Sequence, residues 1–252
     1  MKSTLAASFA PLALVALMAL PAQTAQAEEA AAAPAASPLS FNISLVNEYR
    51  YRGISQSRLD PALQGGADYA FESGFYIGTW ASTIKWIKDA PYNGGASVEI
   101  DVYGGYKTEI ASGLTLDVGA LSYIYPSNDL NPSANTTEIY GALSFGPVTA
   151  KYSHSVTNLF GTADSKGSGY LDVSATFDVG GGFTLVPHVG YQKVKNNDAG
   201  TYTDYSVTLN KDFAGFTFGA AIIGTDTKAY MGGPSMKNLG KDGFVVSVKK
   251  TF

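Results

Sequence analysis

The side chains here that could do chemistry are charged, and they are few: only 15% of the 252 residues are Asp, Glu, Lys or Arg. Glu48, Arg50 and Arg52 alternate along one short stretch, and Asp68 follows on the next. At a spacing of two, such residues share one face of an extended segment, so acid and base are brought together. Two uses of the cluster stand open. It could line an aqueous passage and select the ions that enter, as rings of charged side chains do, or it could be an ion-pair network that braces or plugs a wall, since charges in a narrow interior must meet each other or water. Gly53-Ile54-Ser55-Gln56-Ser57, followed by Pro61, could fold inward above the cluster as a constriction or remain an ordinary surface loop. Further along, Glu99, Asp101, Asp117, Glu138, Asp172 and Asp178 fall on polar faces, with Lys107 and Lys151 as the nearest counterweights. An open interior with this acid excess predicts a weak cation preference.

Other chemistry has little to build on. His154, with Ser153 and Ser155 beside it, and His188 are the two histidines. Catalysis needs nucleophile and base within hydrogen-bond reach plus an orienting third group, whereas neighbours on a strand point to opposite faces. His154 is expected on the apolar face with Tyr152 and Val156, and His188 on a polar face without a motif around it, so no catalytic residue and no enzyme is expected. There are no cysteines, no metal-ligand spacing and no phosphate-cradling glycine motif, hence no cofactor. A net charge of −4 without a basic stripe argues against nucleic acid. The acidic loop residues Asp129, Asp164, Asp198 and Asp226 could hold divalent ions that bridge lipopolysaccharide, or simply be solvated.

The elements that position these residues read as strands. Apolar and polar residues alternate through 41–52, where Phe41, Ile43, Leu45, Tyr49 and Tyr51 oppose Asn42, Ser44, Glu48, Arg50 and Arg52. The alternation recurs in 98–107, 137–145, 148–156, 171–179, 183–194, 203–211 and 244–252. Segments 63–71, 74–84, 114–125 and 216–225 have strand composition with less certain facing, which brings the total to twelve. The connections alternate without exception between short, Gly-rich turns, as tight hairpins require, and longer polar loops. A membrane barrel shows this asymmetry because its periplasmic turns are short and its outer loops long. Low charge, 12% aromatics dominated by Tyr and Phe, and no later apolar run of the ~18 residues a helix would need point the same way. The expectation is an all-β, transmembrane, antiparallel up-and-down β-barrel of about twelve strands, closed so that no edge faces lipid.

The two ends address it. Lys2, the apolar run from Leu5 to Leu20 and the small-residue site Ala25-Gln26-Ala27 read as a cleaved signal peptide over 1–27. An Ala/Pro-rich flexible tail over 28–40 follows, and the barrel occupies 41–252. The absence of cysteine excludes a lipid anchor. Phe244, Val246, Val248 and Phe252 share one face of the last strand, which resembles the terminal signature read by the barrel-assembly machinery. Lys250 interrupts that face and can snorkel to the interface along its apolar stem.

The stretch 47–80, NEYRYRGISQSRLDPALQGGADYAFESGFYIGTW, with EIDVYGGY (99–106), YIYP (123–126) and EIYGALS (138–144), resembles the TorF family of porin-like proteins, a proteobacterial group of unknown function. Family members usually carry Ser-Asp where this chain has Asn47-Glu48. The resemblance implies a membrane barrel and a pore, and brings no substrate. Taken together, the expectation is a porin-like passive channel for small polar solutes or ions in the outer membrane of a Gram-negative bacterium, embedded among lipid and lipopolysaccharide, with oligomers open. The alternative is a closed structural or adhesive barrel that binds partners through its loops.

Overall fold

The computed structural model describes residues 37–89, 91–233 and 235–252. The signal peptide and most of the Ala/Pro tail expected from the sequence lie outside the described residues. Twelve antiparallel barrel strands follow in order: β1 Leu39–Val46, β2 Ala62–Ala70, β3 Phe75–Thr83, β4 Val98–Ala111, β5 Leu114–Ile124, β6 Thr136–Phe145, β7 Val148–Ser155, β8 Gly169–Ala175 continuing as Phe177–Gly180, β9 Phe183–Lys193, β10 Tyr202–Phe213, β11 Phe216–Thr225 and β12 Gly243–Thr251. Each pairs with its neighbours in sequence, and β1 pairs with β12 (Ile43 opposite Lys250, Leu45 opposite Val248), so the sheet closes on itself. Connections of two to four residues at one end alternate with connections of eight to seventeen residues at the other.

Every strand has an apolar outer face. Phe41, Ile43 and Leu45 on β1, Phe75 and Ile77 on β3, Val189 and Tyr191 on β9, and Phe244 and Val246 on β12 are all exposed. A belt of this extent has no place on a soluble monomer and suits lipid. Phenylalanines gather at the short-turn end, among them Phe71, Phe145, Phe213 and Phe252, where a girdle would meet the interface. Lys250 points outward there, and its Nζ sits 4.7 Å from the centre of the Phe216 ring.

Inside, two of the four strands of uncertain facing, β3 and β5, share a feature with β4: a glycine with a tyrosine of the neighbouring strand packed over it. A Cβ on Gly78 would overlap the Tyr103 ring, and one on Gly105 or Gly119 would meet Tyr76 or Tyr140. Because both members of such a pair face inward, the inner face is neither plainly polar nor plainly apolar, which is why the alternation blurs there. The glycines let the rings lie flat on the wall.

Two expectations need correction. The first strand stops at Val46, not at residue 52. Asn47 ends it by using its side chain as a ladder partner, donating to the Phe244 carbonyl at 3.1 Å and accepting from the Val246 N–H at 2.8 Å. Tyr49 and Tyr51 therefore lie within the barrel and not on the lipid face; Tyr49 is 2% exposed. Asp178 does not join the interior acids, because β8 is interrupted at Thr176 and shifts register near Asp178. Its carboxylate instead accepts from the Gly180 N–H at the exposed turn.

Candidate functional site

The connection between β1 and β2 does not stay at the surface. Arg50–Tyr51 pairs with Ile54–Ser55 as a miniature hairpin, and its two turn residues, Arg52 and Gly53, have φ of +47° and +76°. Two positive φ angles in succession are what a tight primed turn demands, and glycine supplies one of them freely. At the base, Gln56 N–H donates to the Tyr49 carbonyl and Tyr49 N–H to the Ser57 hydroxyl. The hairpin is buried apart from the half-buried Tyr51, from Glu48 at 6% exposure to Ser57 at 1%.

Its path crosses the lumen. Tyr49 donates to Glu99 on β4 at 2.7 Å and packs edge-on against Trp80 on β3. Tyr51 bonds Tyr123 on β5. At the tip, the Arg52 guanidinium donates to Glu138 on β6 at 2.7 Å and to Gln192 on β9 at 2.6 Å, and lies 4.1 Å from the ring centre of Tyr170 on β8. A segment that leaves from β1 is thus pinned to the opposite wall. Gly53 touches β10 and β11 so closely that a Cβ would stand 2.8 Å from Asp204 Cβ and 2.5 Å from Thr225 Cγ2. Arg50 closes the near side, paired with Glu48 at 2.8 Å and donating to the Lys241 carbonyl.

The neighbouring long loops roof the hairpin. Lys85 and Trp86 N–H groups both donate to the Gln56 carbonyl, and Ser55 N–H donates to Leu239 O. Arg58 reaches the Trp86 carbonyl and lies 3.7 Å from Asp89. Burial lowers the Arg58 guanidinium from its ordinary value, with Asp89 and Tyr92 opposing that shift. Between hairpin and wall lies an aromatic cluster that includes Tyr49, Trp80, Tyr123 and Tyr125, with Tyr51 and Phe160 packed against it.

Below the hairpin the wall carries charge. Lys107, Asp117, Ala142, Lys151, Asp172, Gly190 and Asp204 are successive partners across six strand pairs, one inward-facing row around the lumen. Opposite charges stand directly across in Lys107–Asp117 and Lys151–Asp172, the arrangement that favours pairing between strands. Lys151 also sits 3.7 Å from the centre of the Tyr140 ring, and Asp68 accepts from the Tyr103 hydroxyl at 2.6 Å. Exposure rises toward the short-turn end: the Arg52 and Glu138 side chains are 6% and 3% exposed, that of Asp172 26%.

Of the charged residues singled out on the wall from sequence, Asp68, Glu99, Asp101, Lys107, Asp117, Glu138, Lys151 and Asp172 face inward and Asp178 does not, while Glu48, Arg50 and Arg52 belong to the hairpin. His154 points outward beside Tyr152, away from Ser153 and Ser155, which are buried on the inner side. His188 is where sequence reasoning missed a constellation. Its Nε2 lies 2.7 Å from Asp172 and 3.3 Å from the Tyr170 hydroxyl, and its Nδ1 lies 3.6 Å from Asp204. Those partners are contributed by the two strands flanking β9, and no local motif announces them. Among the described residues, no group of three or more His, Asp or Glu is arranged to hold a metal ion.

Comparison with known proteins places this geometry. The model of a family described as "Bacterial protein of unknown function (Gcw_chp)" matches residues 29–252. The match does not confirm the TorF name expected from the opening motif. Among solved structures, the KdgM porin superposes with a TM-score of 0.55 at 10% identity, over 85% of this chain and 98% of its own. The NanC porin gives 0.55 at 13% identity, over 83% and 98%. At such identity the likeness concerns the fold. No curated protein sequence matches the chain.

Proposed function

The chain belongs to the Gcw_chp family of bacterial proteins of unknown function, and on the barrel it forms we propose a narrow, passive, porin-like channel in the outer membrane, carrying small polar solutes or ions without catalysis. The observation that carries this reading is the wet, charged vestibule beneath the hairpin. Lys107, Lys151, Asp172 and Lys249 point into a closed barrel yet remain only half-buried, so water reaches them from the short-turn end. A barrel built merely to be filled has no use for a charged inner row open to solvent. The apolar outer belt and the porin fold support the membrane setting, with short turns toward the periplasm and both strand termini there.

The weak cation preference proposed rests on which acids lack a cationic partner. Glu48 and Glu138 are paired with arginines, and Asp117 stands across from Lys107. Glu99 is held by two tyrosine hydroxyls, and Asp101 sits among the acids Glu99 and Glu138. Among the described residues neither has a cation within ion-pair distance, so any negative charge these two acids carry at the constriction is unopposed.

A second reading, the closed structural barrel, has one observation in its favour: Arg52 ties the hairpin to the far wall. Liposome swelling with neutral and charged solutes of graded size decides between them. Swelling with the smallest polar solutes, faster for cations, supports the channel; inserted protein that admits none supports the closed barrel.

A further inference from the structure

We propose that the outer rim of the barrel at β7–β9 is a binding site for the phosphate groups of a phosphorylated outer-leaflet glycolipid. A cavity of about 800 Å³ opens there, outside the lumen, lined by His154, Asn158, Lys166, Gly167, Lys195 and Asn196 together with Ser155, Val156 and the single carboxylate of Asp164. Lys195 and His154 converge on the same spot: a Cβ on Gly167 would stand 3.6 Å from Lys195 Nζ and 3.9 Å from His154 Cε1. Among the described residues, neither Lys166 nor Lys195 has an acid within ion-pair distance.

The backbone that presents these groups is fixed. Gly167 N–H donates to Ser155 O, Lys166 N–H to the Asn158 side chain at 3.2 Å, Lys195 N–H to the Ser168 hydroxyl at 3.0 Å, and the Asn196 amide to Asp164 O at 2.9 Å. Two loops are thereby stitched together with their lysines on one side.

Position selects a lipid over a soluble anion. Tyr152, Leu171 and Tyr191 stand side by side in register on β7, β8 and β9, each about half exposed on the lipid-facing surface at 50%, 46% and 47%. Two residues further along the strands, about 7 Å higher, the next row is His154, Gly169 and Lys193, and the cavity lies above it. Acyl chains against the Tyr–Leu–Tyr row would set phosphates at the height of the two lysines and the imidazole, where amphipathic rings and cations meet a membrane interface. Gly169, between His154 and Lys193, is covered by the Tyr152 ring, whose atoms take the place a Cβ would need. Lys193 itself is engaged by Asp198 at 2.6 Å and is not counted in the site.

The inference rests on the membrane reading of the barrel, and the experiment separates the two. Full-length mature protein, wild type and Lys166→Ser/Lys195→Ser, is refolded in detergent and checked for heat-modifiable migration. Retention of bisphosphorylated lipid A, of its fully dephosphorylated form and of inorganic phosphate is then read by native mass spectrometry. Wild type is expected to hold the bisphosphorylated lipid roughly 30-fold more tightly than the double variant, the worth of two lysines facing anionic lipid, and to hold the dephosphorylated lipid weakly. Equal retention by the folded variant, equal retention of the dephosphorylated lipid, or equally tight capture of inorganic phosphate alone would overturn the site while leaving the barrel intact. A chain that never folds into detergent or lipid would overturn the membrane reading and the site with it.

Discussion

Arg52 Nη2 lies 2.7 Å from Glu138 Oε2 inside the barrel, between residues 86 apart in sequence, tying to β6 on the far wall the tip of a hairpin that leaves from β1. Both side chains are almost wholly buried, so this pair and the Gln192 contact decide whether the hairpin stays in the lumen. Breaking a buried pair by removing one partner costs about 3 to 5 kcal/mol; in a lumen that water can enter, the lower end applies. Arg52→Ala is therefore expected to free the hairpin without unfolding the barrel. Limited proteolysis checks this: new cleavage within 48–60, with the remaining fragment still heat-modifiable, is the expected result.

Gly53 tests the same hairpin through the backbone. At φ +76°, and with Thr225 Cγ2 and Asp204 Cβ within 2.8 Å of the place a Cβ would take, Gly53→Val is strained and also lacks space. A strained φ alone costs on the order of 1 to 3 kcal/mol. The variant should reproduce the proteolytic exposure of Arg52→Ala while keeping every charge, and unchanged protection would show that the tip is looser than its contacts indicate.

The tyrosine-on-glycine wall makes a packing prediction. The three atoms nearest to a Cβ at Gly78 are side-chain atoms, those of Tyr103 and Asp68. Gly78→Ala should lower the urea midpoint of the refolded barrel, and in a Tyr103→Ala background the same substitution should cost clearly less, giving a coupling energy of roughly 0.5 to 3 kcal/mol. Additive effects would mean that the ring does not occupy the glycine's space.

Selectivity should depend on the acids that lack cations. Glu99→Gln with Asp101→Asn is expected to abolish the cation bias of the reversal potential under a salt gradient, while Asp117→Asn, which removes an acid set across from Lys107, should change it less. An unchanged bias in the first variant would move the selectivity filter elsewhere.

Most of the architecture could be read from the sequence, because a period of two and a strict alternation of connection length are direct imprints of a barrel with one side in lipid. Strand ends such as Leu114 and Phe216 fell where turn residues predicted them. The hairpin could not be read in the same way. Alternation continues through 41–52 although the chain leaves the wall at Asn47, since a miniature hairpin has the same period as the strand it follows. The Arg52-Gly53 pair between Tyr51 and Ile54 was the available sign of a two-residue turn. The His188 cluster was hidden for another reason: Asp172, His188 and Asp204 are sixteen residues apart in each step, and register alone brings them together.

The central claim is that a hairpin pinned by Arg52 constricts a polar channel, and single-channel conductance of the protein from residue 28 onward in a planar bilayer tests it most directly. Wild type should give small, discrete, cation-biased current steps, and Arg52→Ala distinctly larger ones from the same number of insertions. Barrels that insert in both forms and stay silent, or that conduct identically, would contradict it.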